Sequence, residues 1–298
     1  MTTASLITLT PELERKLGSA VERMPAFPRS VQQILDLTRR IDCLPKQLVG
    51  VIEKDPVMTV KILRVINSAY YGLPSRITSV GHAVVFLGLN TVKNLALGFA
   101  AVGILPRMNA AGFDVQRYLL HSLVVAGTAR QLATQLNDGT LEPGDCYIAG
   151  LLHDFGKIVF AEFLAGEFLA TLAYAKATNV PLNVAEQAVI GVDHGMVGAM
   201  LAVRWQFPEH LVTCIRDHHN PAAAPSLMMS CLRLADQIVR YHEIGDSGNP
   251  WHAGEEPVLP DALREAGVHD VESAARSVGS FEKVISDAEL FAHIGSER

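Results

Sequence analysis

Gly150-Leu151-Leu152-His153-Asp154-Phe155-Gly156-Lys157 sets a histidine, an aspartate and a lysine inside an otherwise apolar run. Buried without partners, such groups carry a heavy desolvation cost, so each must be solvated, paired or bound. A metal ion is one partner that accounts for the His-Asp pair. Read as one continuous helix, the run puts His153 and Asp154 about 100° apart, flanking one ion or two adjacent ions. Lys157 follows His153 at i+4 and returns to the same face.

Outward from this run the apolar residues recur at helical spacing. Val31, Ile34, Leu35, Thr38 and Ile41 form one such stripe, and Val57, Val60, Leu63 and Ile66 another. A long one follows Asp114 through Val115, Leu119, Ser122, Ala126, Ala129, Ala133 and Leu136. Helix starts are marked by Pro45, by Asp55-Pro56, by Asp114, by Asn183 with Glu186, by Asp193 and by Ser226, with Ser79 and Asn90 as further caps. A short helix is expected over Pro11–Leu17, and two amphipathic helices near 261–266 and 271–291. No segment alternates with a period of two, so the fold class is all-α, a multi-helix bundle with an N-terminal helical subdomain. The expected divisions are an arm over 1–20, a domain over 21–240 with a seam near 110, and a helical extension over 241–298. Asn67-Ser68 with Tyr70-Tyr71 breaks the pattern and reads as a structural turn.

At 298 residues, with 49% hydrophobic and 19% charged residues, the chain has ample core for one or two domains. A net charge of −6 argues against a nucleic-acid-binding surface, which needs a basic face. The most apolar segment, Ala83 to Leu105, is interrupted by Asn90, Thr91, Lys93 and Asn94, so two buried helices explain it better than a membrane span. Four cysteines without a C-x-x-C pair read as reduced thiols of a cytoplasmic protein, and the N-terminus shows no secretion signal.

Collected in order, the candidate ligands are His121, His153, Asp154, His194, His218, His219 and Asp236. Imidazole with carboxylate suits iron, manganese or zinc, and seven such groups suffice for two divalent ions sharing Asp154. Here the chain resembles the HD superfamily of metal-dependent phosphohydrolases. Upstream of the ligands, Asp55-Pro56, Arg64-Val-Ile-Asn67-Ser68-Ala-Tyr-Tyr-Gly72 and Ala83-Val-Val-Phe-Leu-Gly88 resemble the HDOD (HD-related output domain) family. The resemblance spans about residues 21–240. It implies a regulatory output module of bacterial signalling that acts through protein partners.

Many members of that family lack metal ligands. Here the two-metal set of the related HD-GYP phosphodiesterases carries over intact, with Lys157 matching the phosphate-side lysine. That leaves open the alternative of a phosphohydrolase acting on a nucleotide or cyclic dinucleotide. Two departures bear on it. Asn220-Pro-Ala-Ala-Ala follows His218-His219 where those enzymes carry glycine-tyrosine-proline, and Arg117 stands where the trimetal ones carry glutamate. The first removes the signature of cyclic-di-GMP hydrolysis, and the second argues against a third metal.

Overall fold

In the computed structural model, residues 10–38, 44–67, 76–106, 109–224, 226–250, 259–265, 267–278 and 281–296 are described. The expected turn at Ser68–Gly72, residues 1–9 of the N-terminal arm and Cys43 lie outside them. Every regular element among the described residues is a helix, as the spacing of the apolar residues requires. None of these helices is long and apolar enough to cross a membrane.

Helix α1 (Pro11–Arg23) opens on Thr10, whose hydroxyl accepts the Leu13 N–H. It outruns the expected Pro11–Leu17 because Leu17, Ala20 and Val21 are all buried on one face. After an extended Met24–Pro28 come α2 (Arg29–Thr38), α3 (Pro45–Glu53) and α4 (Pro56–Ile66). The last two begin at their prolines, where the missing N–H costs nothing, and Asp55 caps α4 by accepting the Met58 N–H. At its far end the Asn67 side chain donates to Leu63 O and Ile77 O and accepts the Ile77 N–H. Ser79 caps α5 (Val80–Leu87) as expected. Asn90 does not cap α6 (Leu89–Ile104), because the chain turns two residues earlier, at Gly88.

The long helix α7 (Val115–Leu136) starts on Asp114, which accepts the Gln116 and Arg117 N–H groups. Next come α8 (Pro143–Leu152), α9 (Phe155–Phe163), α10 (Ala165–Thr178) and α11 (Leu182–Val189). They are followed by α12 (His194–Arg204), α13 (Glu209–Asp217) and α14 (Leu227–Tyr241). Three helices, α15 (Asp261–Glu265), α16 (Val271–Ser277) and α17 (Phe281–Ser296), occupy the region where two were expected. Asp193 and Ser226 cap α12 and α14 as expected.

The chain clusters into two units. One comprises Met1–Pro25 with Leu105–Phe281, and the other Ala26–Ile104 with Glu282–Arg298. The smaller unit holds α2 to α6, of which α6 is buried along nearly its whole length. Within it, Phe291 of α17 stacks on Phe99 with ring centroids 4.2 Å apart. The larger unit pairs α7 lengthwise with α8 and α14, and packs α12 against α9 and α13.

Two sequence readings change in the larger unit. The His153-Asp154 run is not one helix: α8 stops at Leu152, Asp154 leaves helical geometry (φ −95°, ψ 5°), and α9 starts afresh at Phe155. Nor does Asn183 cap α11. Pro181 holds that position, and Glu186 turns inward and is buried.

The approach of α9 to α12 depends on Gly156. A Cβ there would lie 2.0 Å from the His194 carbonyl oxygen and 2.9 Å from the Gly198 nitrogen, both backbone atoms that cannot step aside. Gly156→Ala is therefore expected to cost about 1–3 kcal/mol, the usual range for overpacking. A fall in the midpoint of chemical denaturation with an unchanged slope checks it.

Candidate metal centre

Five short segments deliver the seven expected ligands to one place in the larger unit. His121 comes from the middle of α7, and Asp236 from α14. His153 and Asp154 occupy the break between α8 and α9. His194 is the first residue of α12, and His218 and His219 follow the last turn of α13. All are buried except His219, which is partly exposed. Their ligating atoms form two groups: Asp154, His194, His218 and His219 in one, and His121, His153 and Asp236 in the other. Within each, the atoms lie within 4.8 Å of one another.

The hydrogen bonds fix which face of each ring looks inward. His153 and His218 donate from Nδ1 to the carbonyls of Gly150 and Ile215, at 2.8 and 2.7 Å. That turns Nε2 of each ring toward the centre, available as a lone pair once the ring is neutral. His194 turns its Nδ1 to Glu186 Oε2, at 2.6 Å, and so presents Nε2 as well. The His194 Nε2 lies 3.0 Å from Asp154 Oδ1, 3.1 Å from His219 Nε2 and 3.3 Å from His218 Nε2. In the second group, His121 Nε2 is 3.2 Å from Asp236 Oδ1, and His153 Nε2 is 3.8 Å from the same oxygen. His121 Nε2, His153 Nε2 and Asp154 Oδ1 are buried with no hydrogen-bond partner.

Lone pairs held this close repel unless a positive charge lies among them. The spacings match the edges of a coordination shell: four ligands about 2.0–2.1 Å from zinc stand about 3.3 Å from each other. The donor set, imidazole and carboxylate without thiolate, suits iron, manganese or zinc. The residues present therefore fit a divalent cation.

With the imidazoles neutral, as ligation requires, the charge around the centre points the same way. Three buried carboxylates, Asp154, Asp236 and Glu186, face two buried cations, Lys157 and Arg240. Lys157 Nζ bonds Asp154 Oδ2 at 2.7 Å, and Arg240 Nε bonds Asp236 Oδ2 at 2.8 Å. Burial alone would raise the Asp154 carboxyl, but His153, Lys157 and His194 hold it well below the usual carboxylate range. Arg240, His121 and His153 do the same for Asp236 against its burial. Burial keeps His121, His218 and His219 below the ordinary imidazole value. For His153, burial is outweighed by Asp154 and Asp236, which lift it to about 9. For His194 it is outweighed by Glu186 and Asp154, against the charge of Lys157, and the ring rises to about 8.

On the open side of the centre lies a cavity of about 190 Å³, lined by His218, His219, Arg233, Asp236, Gln237 and Arg240 among others. Arg233 gives its guanidinium to the carbonyls of Asp217, His218 and Asn220, and so clamps the His218-His219 segment past the end of α13. Lys157 is 1% exposed and committed to Asp154, so its ion pair, not a substrate contact, is what the geometry records. Arg117 donates to Gly245 O at 3.0 Å.

Sequence reasoning missed three supporting residues. Arg240 was legible as the i+4 partner of Asp236 on a helix. Arg233 and Glu186 carry no sequence signal, because their partners belong to other elements.

The HDOD domain family model matches residues 24–221, and the chain belongs to that family. It is 27% identical over 238 residues to an uncharacterized protein of Treponema pallidum (strain Nichols). That match covers 78% of this chain and 45% of the relative, so the chain spans under half the relative's length. Among solved structures, it is similar to a protein of Shewanella amazonensis SB2B provisionally named a phosphohydrolase. The two are 25% identical with a TM-score of 0.69, over 94% of this chain and 98% of that one. A protein of Marinobacter aquaeolei VT8 provisionally named for signal transduction is 24% identical with a TM-score of 0.76. It is covered to 68%, and this chain to 98%; at that identity the likeness is one of fold.

Since ligating imidazoles must be neutral, cation binding at pH 7 has to displace the protons that His153 and His194 hold at about 9 and about 8. Zinc added to metal-free protein at pH 7 should release protons. Its affinity should rise about tenfold per pH unit for each proton displaced, flattening as pH passes 8 and then 9. Calorimetric titration in buffers of different ionisation enthalpy reads both effects.

Proposed function

We propose that this chain is a metal-binding regulatory module of bacterial signal transduction, acting through contacts with protein partners. Its centre would hold two divalent cations, one in each ligand group. The observation that carries the metal part is the convergence of bare imidazole nitrogens and carboxylate oxygens, several of them buried without any other partner. The family supports the signalling part. Exposed apolar side chains in the smaller unit favour a partner surface: Val57 and Val60 on α4, and Val85 and Phe86 on α5.

A second reading is a metal-dependent phosphohydrolase. The cavity of about 190 Å³ beside His219, Asp236 and Arg240 favours it, as does the provisional name of the Shewanella relative. A divalent cation there would neutralise charge on a phosphoryl group, while Arg240 and Gln237 orient it. The cavity is smaller than the roughly 300–1,000 Å³ typical of small-molecule sites. A phosphoryl group fits such a space.

Elemental analysis of anaerobically purified protein, beside Asp154→Asn, tests the metal centre. Asparagine keeps the shape of the side chain and still accepts from Lys157, whereas alanine would strand a buried ammonium. Near-stoichiometric iron, manganese or zinc is expected in the wild type, with strong loss in the variant. A phosphoester screen of the loaded protein then separates the two readings. Turnover of small monoesters that disappears in Asp154→Asn supports the hydrolase, and its absence over a broad panel supports the regulatory module.

A further inference from the structure

We infer that Glu186 is a positioning residue that controls occupancy of one cation position, the one formed by Asp154, His194, His218 and His219, and not of the other. This rests on the proposed binding of two divalent cations.

Glu186 is fully buried. Its Oε2 accepts two hydrogen bonds from a single residue, the His194 backbone N–H at 2.9 Å and the His194 Nδ1–H at 2.6 Å. The local fold is arranged for this. Glu186 lies in the last turn of α11, its carbonyl accepts the Ile190 and Gly191 N–H groups, and Gly191 takes φ +93° to reverse the chain. His194 thereby returns as the first residue of α12, with its backbone N–H facing the carboxylate. Holding backbone and ring with one oxygen fixes the side-chain torsions of His194 and points its Nε2 at Asp154, His218 and His219.

Two further observations give the contact a chemical role. Among the described residues the only ion-pair partner of the Glu186 carboxylate is the His194 ring, and its second oxygen, Oε1, is buried with no partner. A carboxylate so placed favours positive charge on that ring, whether a proton or a cation bound at its far side. The other two rings whose Nδ1 contacts are known, His153 and His218, donate to neutral backbone carbonyls. Of these three, His194 is the ring with an anion behind it, and a carboxylate behind a ligating imidazole both orients it and makes it the stronger donor. No member of the His121, His153 and Asp236 group is hydrogen-bonded to Glu186, so the effect is confined to one position.

Cobalt(II) or zinc titration of metal-free full-length protein, wild type beside Glu186→Gln, tests this with a chelating competitor and with the visible spectrum of bound cobalt. Glutamine keeps the volume and one acceptor oxygen but removes the charge. The wild type should take up two equivalents. In Glu186→Gln one equivalent should bind about 10–100-fold more weakly, with an altered cobalt spectrum, while the other keeps its affinity. Circular dichroism and thermal melting confirm that the variant is folded. Unchanged binding in a folded variant, or equal weakening of both equivalents, overturns the inference. A wild type that binds no metal overturns the underlying proposal instead. Should Glu186→Gln fail to fold, nitrogen-15 spectra of the zinc-loaded wild type still decide. A His194 ring protonated on Nδ1 supports the role, and one protonated on Nε2 overturns it.

Discussion

Imidazole lone pairs cannot sit about 3 Å apart in an apolar interior without something positive between them. That constraint organises the larger unit. Helices α7, α9, α12, α13 and α14 each bring ligands toward one point, and the rings cannot relieve their repulsion by rotating. His153 and His218 are tethered through Nδ1 to carbonyls three residues earlier in their own chain. His194 is tethered to Glu186. The packing of the bundle thus gathers these groups around one point, and Asp154, touching rings from both groups, lies at its middle.

Five of the seven candidate ligands stand at helix ends, and only His121 and Asp236 on helix faces. His153 and Asp154 fall between two helices, His194 begins one, and His218 and His219 follow another. Ends leave backbone groups without intrahelical partners, and these are the groups the site employs. The His194 N–H goes to Glu186, and the carbonyls past α13 go to Arg233. A helical run containing His153 and Asp154 would have kept their side chains about 100° apart and tied to one axis. The break frees Asp154 to turn toward α12 while His153 faces α7.

Much of this was legible in the sequence. The helical period, the prolines at 45 and 56 and the caps at Asp55, Ser79, Asp114 and Asp193 fixed elements whose starts the structure repeats. The seven candidate ligands stood out because histidine and aspartate in apolar surroundings need an explanation. What stayed hidden has a common cause. Asn183 with Glu186 has the spacing of a helix cap, and nothing nearby reveals that Glu186 is needed by a ring eight residues on. The break after Leu152 left no mark either, since no proline or polar run precedes His153, and Gly156 stands beyond it. Glycine there answers to the backbone of α12, a partner that spacing along one helix cannot reveal.

The position of Arg233 ties the two ligand groups together mechanically. It lies on α14, one turn before Asp236, and holds the carbonyls that carry His218 and His219. One helix thus supplies a carboxylate to the second group, through Asp236, and anchors the His218-His219 pair of the first. It acts as a shared rail, and sliding or rotating it displaces ligands on both sides together. The two positions are for that reason not independently adjustable through α14. Whatever loads against that helix is felt by the whole centre at once.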